Sequence, residues 1–448
     1  IPQITAPQGG WQEGTIADYM GIPTKVSGLS VNALPFRAYC KCWNDFMRDE
    51  NLKSNAHIYM DETTRQGQNG TETGYSYITG AEFGGKPLKM PKMHDYFTSC
   101  LPEPQKGEAV QIPMLGDAQV YTGEPHTHRL NQEIKFGFPV TVAGQYDDNY
   151  HNFILKGNGT TTKNFSGVKV NTSGSAEPSS GVAPVNLYAD LTTATVATIT
   201  QLRTAFAIQK YFENAGLHGT RYIEYIRSVF GVTSSDARMQ RAEYLGGERV
   251  PINIDQILQT SSTDQTSPQG NTAGFSCTIN RGSHFTKSFE EHGTLLCLAA
   301  IRTEHTYQQG LKKMWTRKSW EDFYNPFFSN LSEMPVLVEN LYATGTSADK
   351  EAFGYQEAWA EYRYKENFVS GYMRSNATGS LDVWHFADDY QSQPYLSSEW
   401  IDEPYTNVDR TIAVTSQLTH QFIGDFFFKC YYTRPMPVYS VPGLIDHV

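Results

Sequence analysis

The stretch LPFRAYCKCWNDFMRDENL, residues 34–52, carries the clearest helical pattern near the start of the chain. Its apolar residues recur at intervals of three and four, which is typical of one face of a helix, and Pro35 suits the first helical turn. Cys40 belongs to that face, whereas Cys42 lies about 200° around the helix from it. Two cysteines so placed cannot share one tetrahedral metal or easily bridge each other. We therefore expect a helix with a buried, unpaired Cys40.

The composition of the 448-residue chain favours many short strands and long loops over a helical bundle, because aromatic residues reach 13% and Gly and Pro number 37 and 22. The net charge of −11 argues against a protein whose main role is to coat nucleic acid, although a local basic patch is compatible with it. Six cysteines in so long a chain do not form a disulfide framework, which favours a reducing compartment. The chain contains no apolar run of about 18 residues, so the sequence predicts no transmembrane helix.

Residues 157–197 differ from the rest, because 17 of the 27 residues from 157 to 183 are Gly, Ser, Thr or Asn. Such a segment cannot bury enough apolar surface to fold alone, and we expect a surface-exposed insertion loop. Residues 198–246 are predicted as a helical insertion, with helices at 199–215, ending at Gly216, and at 220–230. Beyond Gly246 strand signals dominate, in FSCTI, TLLCLAAI, MPVLVENLYA and DFFFKCYY.

Three motifs indicate catalysis or ligand binding only weakly. GAEFGGKP, residues 80–87, nearly matches a phosphate-binding loop, but Pro87 replaces the hydroxyl residue, so a glycine-rich turn is favoured. EPHTHRL offers a histidine pair beside an acid, which is a weak metal signal. DVWHFADDY could serve acid–base or Ca²⁺ chemistry, but a polar loop beside a buried Trp384 is favoured. The residues concerned are Glu124, His126, His128, His385, Asp388 and Asp389. We predict no catalytic residue, no metal site and no cofactor.

The segment LKKMWTRKSW alternates basic and aromatic residues, and EYRYKENF adds two further basic residues. Such interleaving can hold single-stranded nucleic acid through phosphate contacts and base stacking. The alternative is that Trp315 and Trp320 pack inward while the charges are only solvated. The predicted nucleic-acid-binding residues are Lys312, Lys313, Arg317, Lys318, Arg363 and Lys365.

Five separated stretches together resemble the major capsid protein of the microviruses, the small single-stranded DNA phages, and their gokushovirus branch in particular. They occur in the family's order and run from residue 34 to the C-terminus. They are LPFRAYCKCWNDFMRDENL, NLYADLTTATVATITQLRTAFAIQK, GTRYIEYIRSVFGVTSSDARMQRAEYLGGERVPINIDQILQTS, GYQEAWAEYRYKENFVSGYMRS and RPMPVYSVPGLIDHV.

The resemblance implies a mainly β fold across residues 1–448: a single viral jelly roll, an eight-stranded antiparallel β-barrel, with large loop insertions and a few helices. It also implies an earlier segment with the first barrel strand, before the residue matching Ile1. The insertion at 157–197 would protrude outward at the threefold axes.

In function, the resemblance implies a 60-copy T=1 icosahedral shell around a circular single-stranded DNA genome and no catalysis. The expected location is the virion capsid, assembled in the host bacterial cytoplasm. The implied partners are further copies of the chain, a small basic DNA-associated protein, scaffolding or pilot proteins, and a host-cell surface receptor. The composition leaves one alternative of another class, a carbohydrate-active β-sandwich enzyme or lectin, which would need two carboxylates about 5–10 Å apart in a cleft.

Overall fold

The computed structural model divides the chain into two compact units, one of residues 1–106 with 215–448 and one of residues 107–214. We describe each unit by itself. The structure describes residues 1–71, 77–110, 199–233, 241–254, 276–282, 285–329, 331–412, 414–417 and 420–435, with short pieces at 119–122, 136–137, 183–184, 187–190, 258, 260, 265–266 and 269–270.

The larger unit begins with a three-stranded sheet that covers one hydrophobic core. Strand β1 (Gln3–Thr5) pairs antiparallel with β2 (Ser30–Asn32) and parallel with β3 (Arg65–Gln66). Helices α1 (Ile16–Tyr19), α2 (Leu34–Cys42) and α3 (Tyr77–Gly80) belong to the same part of the chain. We call its buried cluster the N-terminal core; it contains Ile4, Ala6, Trp11, Ile16, Ala17, Ala33, Phe36, Cys40, Trp43, Ala56, Ala81, Phe83 and Leu88.

Helix α2 confirms the helical phase of the opening stretch over most of its length. Cys40 is fully buried and Cys42 half-buried, and burial raises the pKa of the Cys40 thiol to about 12. The helix continues through a π-helical turn (Trp43–Met47) and ends there, not at residue 52 as predicted. A π turn holds more residues than an α turn and so rotates the following side chains. Phe46, expected on the buried face, is accordingly 40% exposed.

The glycine-rich segment 80–87 is a packing turn, as predicted. The backbone N–H groups of Ile16 and Ala17, which open α1, donate to the carbonyls of Gly85 and Gly84 over 2.7 and 3.3 Å. Gly84 has a φ of +79°, and a Cβ there would lie 2.8 Å from Nε1 of Trp11. Only glycine fits so close an approach in this conformation. The segment therefore packs against α1 and Trp11 as part of the N-terminal core.

A second core lies in the same unit, around a hairpin. Strand β9 (Met334–Leu337) pairs antiparallel with β10 (Ala352–Gln356), with a bulge between Ala352 and Gly354. Strand β8 (Thr306–Tyr307) pairs parallel with β11 (Ala387–Asp388). The same part of the chain contains helices α6 (Val338–Leu341) and α7 (Thr406–Thr411). We call this cluster the second core; it contains Tyr96, Phe97, Cys100, Tyr307, Val336, Val338, Leu341, Phe353 and Ala360.

The smaller unit contains two antiparallel strand pairs. Strand β4 (Gln119–Thr122) pairs with β7 (Leu187–Asp190), and β5 (Phe136–Gly137) pairs with β6 (Ala183–Pro184). The predicted insertion loop at 157–197 lies outside the described residues except for the strand pieces at 183–184 and 187–190.

Two helices lie in the stretch predicted to be helical. Helix α4 (Ile199–His218) runs two residues past the predicted stop at Gly216, and the chain turns instead at Gly219, with φ +87°. Helix α5 (Tyr222–Phe230) ends at Gly231, as predicted. No helix in the described part of the chain is long and apolar enough to cross a membrane.

The described strands form five small sheets, one of three strands and four of two, and no eight-stranded barrel appears among them. MPVLVENLYA begins as strand β9 but continues as helix α6. TLLCLAAI and DFFFKCYY, both expected as extended strands, have no regular secondary structure and no pairing partner among the described residues. Strand propensity reflects packing against neighbouring strands, and without a neighbour these apolar side chains remain exposed. We call residues 276–282, 285–302 and 420–435 the unpaired extended segments.

Candidate functional site

The basic and aromatic residues at 312–328 and 357–368 form one surface, which we call the tryptophan surface. Trp315 is 70% exposed and Trp320 is 68% exposed, so the alternative in which these tryptophans pack inward is wrong. Lys312, Lys318 and Lys365 are exposed and Lys313 is half-buried. Nucleic-acid binding by these residues stays a prediction.

Short turns set the positions of the two tryptophans. Trp315 ends the 3₁₀ turn Lys313–Trp315, and Trp320 begins the 3₁₀ turn Trp320–Asp322. The Asp322 carboxylate accepts the backbone N–H groups of Lys318 and Ser319 over 2.8 and 2.9 Å, and these bonds lower its pKa. A carboxylate at this place satisfies the free N–H groups at the start of a helical turn.

Arg317 lies inside the tryptophan surface. Its Nη2 is 3.2 Å from Oε1 of Glu361, and the side chains of the pair are only 11% and 12% exposed. The guanidinium carbon lies 4.4 Å from the ring centre of Tyr362 and 5.2 Å from that of Phe323. Arginine suits such a place because its planar group both stacks and pairs. Arg317 therefore joins the two halves of the surface.

The other predicted residues differ in their partners. The Lys312 ammonium lies 4.7 Å from the ring centre of Phe368, and the exposed Arg363 forms an ion pair with Glu357. Arg363 follows directly on a 3₁₀ turn, Ala360–Tyr362, that begins after Trp359. Trp359 has a φ of +63°, a conformation that bulky residues rarely adopt. Its indole N–H donates to the carbonyl of Phe328 over 2.9 Å, which fixes the turn against the other half of the surface.

Two of the motifs considered for metal binding or catalysis, EPHTHRL and DVWHFADDY, remain to be placed in the structure. His126, His128 and Glu124 lie outside the described residues. His385 makes a 2.6 Å contact from Nε2 to the carbonyl of Met373. Trp384 is 65% exposed, so the expectation of a buried tryptophan in this loop is wrong. Trp384 ends a short 3₁₀ turn, Asp382–Trp384, none of whose residues is buried.

Asp388 is the centre of a buried charge cluster that the sequence did not reveal. Its Oδ1 lies 2.7 Å from Nδ1 of His305, and its Oδ2 lies 3.1 Å from the ammonium of Lys92. The second nitrogen of His305 lies 3.0 Å from Oε2 of Glu403. We call these residues, together with Tyr390 and Asn407, which donate to Asp388 over 2.8 and 2.6 Å, the Asp388 cluster.

The geometry of the Asp388 cluster favours a charged histidine. Both ring nitrogens of His305 face carboxylate oxygens, so both act as donors, as only the protonated ring can. Burial by itself lowers the pKa of His305, but the hydrogen bonds to Asp388 and Glu403 outweigh it, and the pKa rises to about 9. Burial raises the pKa of Asp388, yet His305 and Lys92 hold it well below its usual range. The cluster is therefore a structural set of paired charges.

The same charges lie where residues 401–403 run beside residues 90–92. The backbone N–H of Lys92 donates to the carbonyl of Ile401 over 2.7 Å, and that of Glu403 donates to Met90 over 2.9 Å. Asp402, between them, forms an ion pair with Lys53, whose side chain is 1% exposed. Segment 401–403 therefore connects the N-terminal core with the second core.

A groove of about 480 Å³ lies beside the end of α2. Arg221 and Arg241 both donate to the carbonyl of Asp45, over 3.0 and 2.6 Å, which places cations at a helix C-terminus. Burial and the charge of Glu50 raise the pKa of Glu224 in this groove.

Within the described residues, no group of His, Cys, Asp and Glu side chains is arranged to hold a metal ion.

Comparisons with known proteins agree with one another along the whole chain. Residues 1–444 match the family described as capsid protein (F protein). The chain is 43% identical to capsid protein VP1 of Spiroplasma virus 4, over 99% of this chain and 79% of the relative. It is 40% identical to capsid protein VP1 of Bdellovibrio phage phiMH2K, over 99% and 78%, and 37% identical to that of Chlamydia phage 1, over 99% and 80%.

Proposed function

The chain belongs to the phage capsid protein (F protein) family, and on that premise we propose that sixty copies form a T=1 icosahedral shell around a circular single-stranded DNA genome. It is a major capsid protein, a structural component of the virion and not an enzyme. The observation that carries this is the match over 99% of the chain to relatives named capsid protein VP1. The alternative of a carbohydrate-active enzyme or lectin is not supported.

We further propose that the unpaired extended segments supply strands of an eight-stranded jelly roll, which closes in the assembled shell. Exposed apolar side chains support this, since Ile279 is 83%, Ile423 is 99% and Phe427 is 90% exposed. A soluble protein rarely leaves so many apolar groups exposed unless another surface covers them. Backbone N–H and C=O groups in such segments also need partners once water is excluded.

The genome would contact the tryptophan surface through Lys312, Lys313 and Lys318, with Arg363 and Lys365 beside it. Since the chain carries a net charge of −11, it cannot neutralise a genome by itself. This favours a small basic DNA-associated protein as a partner, with scaffolding or pilot proteins during assembly in the host bacterial cytoplasm.

For the insertion at 157–197 we propose an outward position at the threefold axes, where it could contact a host-cell surface receptor. Its Gly, Ser, Thr and Asn content supports the proposal, because such loop tips tolerate change. The test is to delete residues 159–180 and measure assembly and attachment separately. We expect shells that form but attach poorly, and failure of shells to form would contradict this placement.

The shell itself is tested by negative-stain microscopy and light scattering of the purified full chain with its partner proteins. We expect uniform small shells in which each subunit buries well above roughly 800 Å² against its neighbours. A folded chain that stays monomeric at high concentration would contradict the T=1 proposal.

A further inference from the structure

We infer that Trp315 and Trp320 form a base-stacking platform for single-stranded nucleic acid, and that Arg317 is a positioning residue that does not itself contact phosphate. The inference rests on the proposed function, since it assigns individual roles within the tryptophan surface. It departs from the sequence-based prediction, which gave the four basic residues from 312 to 318 one common role.

The first observation is the exposure of two indoles, of which Trp320 rests on other aromatic rings. The Trp320 ring centre lies 5.9 Å from that of Phe328 at an interplanar angle of 33°. Behind it, Trp359 and Tyr324 meet edge to face at 5.8 Å. Trp320 therefore rests on an aromatic layer while its own side chain is 68% exposed. An indole held this way offers a flat face to a base with little loss of conformational freedom.

The second observation is the charge around the indoles. In the described part of the chain, no carboxylate lies within ion-pair distance of the ammonium groups of Lys312, Lys313 and Lys318. These three lysines flank Trp315 on both sides in sequence. A single strand matches this arrangement, because it presents flat bases and a phosphate at every nucleotide. The alternation of flat bases with phosphates, which a net-acidic second copy of this chain does not offer, therefore favours nucleic acid as the occupant.

The third observation separates Arg317 from the lysines. Its charge is already paired with Glu361 at 3.2 Å, and its side chain is 11% exposed. The guanidinium is stacked on Tyr362, whose hydroxyl accepts the backbone N–H of Tyr324 over 3.2 Å. A phosphate would have to displace a carboxylate from a largely desolvated pair. Arg317 therefore holds the aromatic layer under Trp320 in place.

The experiment measures the affinity of the full chain for two probes of equal length by fluorescence anisotropy, a dT oligonucleotide and an abasic oligonucleotide. We expect Trp315→Ala and Trp320→Ala each to weaken dT binding about 5- to 150-fold and to leave abasic binding unchanged. Trp384→Ala is the matched control, because that indole is 65% exposed and lies outside the surface. Equal losses for both probes, or no loss for dT, would overturn the platform.

Salt dependence separates the arginine from the lysines. Lys312→Met or Lys318→Met should reduce the slope of log affinity against log salt by about 0.7 for each lost contact. Arg317→Met should leave the slope unchanged while weakening dT binding more than abasic binding. A reduced slope for Arg317→Met would show that Arg317 contacts phosphate and contradict its positioning role.

Shell assembly of the same variants, measured by sedimentation and microscopy, distinguishes failure of the inference from failure of the capsid proposal. We expect Trp315→Ala and Trp320→Ala to assemble normally. Loss of assembly in these variants, with Trp384→Ala unaffected, would identify the surface as a contact between copies and overturn nucleic-acid stacking. If wild-type shells form but bind both probes equally, the stacking inference fails and the capsid proposal stands.

Discussion

The N-terminal core and the unpaired extended segments are both rich in aromatic residues, but the core buries them whereas the segments leave them exposed. Trp11 and Trp43 are 0% and 1% exposed, whereas Phe427 and Tyr431 are 90% and 84% exposed. The core has a three-stranded sheet and helices that supply backbone partners, and the extended segments have none among the described residues. Apolar content alone therefore does not produce burial. The segments have the composition of strands, and under the jelly-roll proposal the assembled shell supplies the strand partners that they lack among the described residues.

The largest expected effect contrasts one buried aromatic residue with one exposed aromatic residue. Trp43→Ala should lower the free energy of unfolding of the full chain by about 3–5 kcal/mol, because it leaves a cavity in the N-terminal core. Phe427→Ala should change it by less than about 0.5 kcal/mol in the free subunit while impairing shell formation. Urea denaturation and sedimentation measure the two effects. A loss of several kcal/mol for Phe427→Ala would show that the segment is already packed before assembly.

The next effect concerns the Asp388 cluster. Lys92→Met removes one of two cations that face a buried carboxylate, and we expect a loss of about 3 kcal/mol in unfolding free energy at pH 7. Lys350→Met is the control, since Lys350 also pairs with an acid, Glu339, at 2.7 Å but is 58% exposed. A similar loss in both variants would mean that burial does not set the strength of these pairs.

A pH effect of about 3 kcal/mol should come from His305, since each unit of pKa difference between the folded and unfolded protein is worth about 1.4 kcal/mol. Its pKa in the folded protein is about 9, above the ordinary 6.5, so its stabilisation is complete below pH 6.5 and is lost as the pH rises through 9. Asp388 acts in the opposite sense, because its lowered pKa gives stability that is lost only in acid. Denaturation between pH 6 and 10 measures the decline. His305→Gln should abolish most of it, and an unchanged decline would assign it to other groups.

The smallest effect is expected beside the extended segments. Arg249 and Glu304 form a 2.7 Å ion pair whose side chains are 67% and 74% exposed. Arg249→Met should cost less than about 1 kcal/mol, and the difference should vanish in 1 M salt because exposed pairs are screened. A larger cost that persists in salt would mean that this region is more tightly packed than its exposure indicates.

The sequence predicted local structure where neighbouring residues determine it. The spacing of apolar residues in 34–47 placed Cys40 on the buried face, and Gly231 ends helix α5 as its position indicated. The π turn at Trp43–Met47 was not predicted, because a helical wheel assumes one constant period. The stop at Gly219 in place of Gly216 shows that a glycine inside a helix is tolerated when a later one can adopt the left-handed conformation.

The parts of the site that depend on distant residues could not be predicted from local patterns. Lys312 and Lys318 are exposed, as the basic pattern suggested, but the pairing of Arg317 with Glu361 joins residues 44 positions apart. His305 and Asp388 are separated by 83 positions. The exposure of Trp384 was also missed, because a tryptophan in a short motif gives no sign of which side of the turn it occupies.

The contact between residues 90–92 and 401–403 determines how late in translation the subunit can finish folding. Lys92 and Asp388 are 296 positions apart in the chain. At about 5–20 residues per second, the ribosome needs roughly 15–60 s after adding Lys92 before Asp388 exists. During that interval the N-terminal core can close, whereas the amine of Lys92 has only water as a partner and the second core waits for its last strand. We therefore expect that a nascent subunit cannot present its finished surface until translation is nearly over, so that only complete chains have the surface that assembly needs.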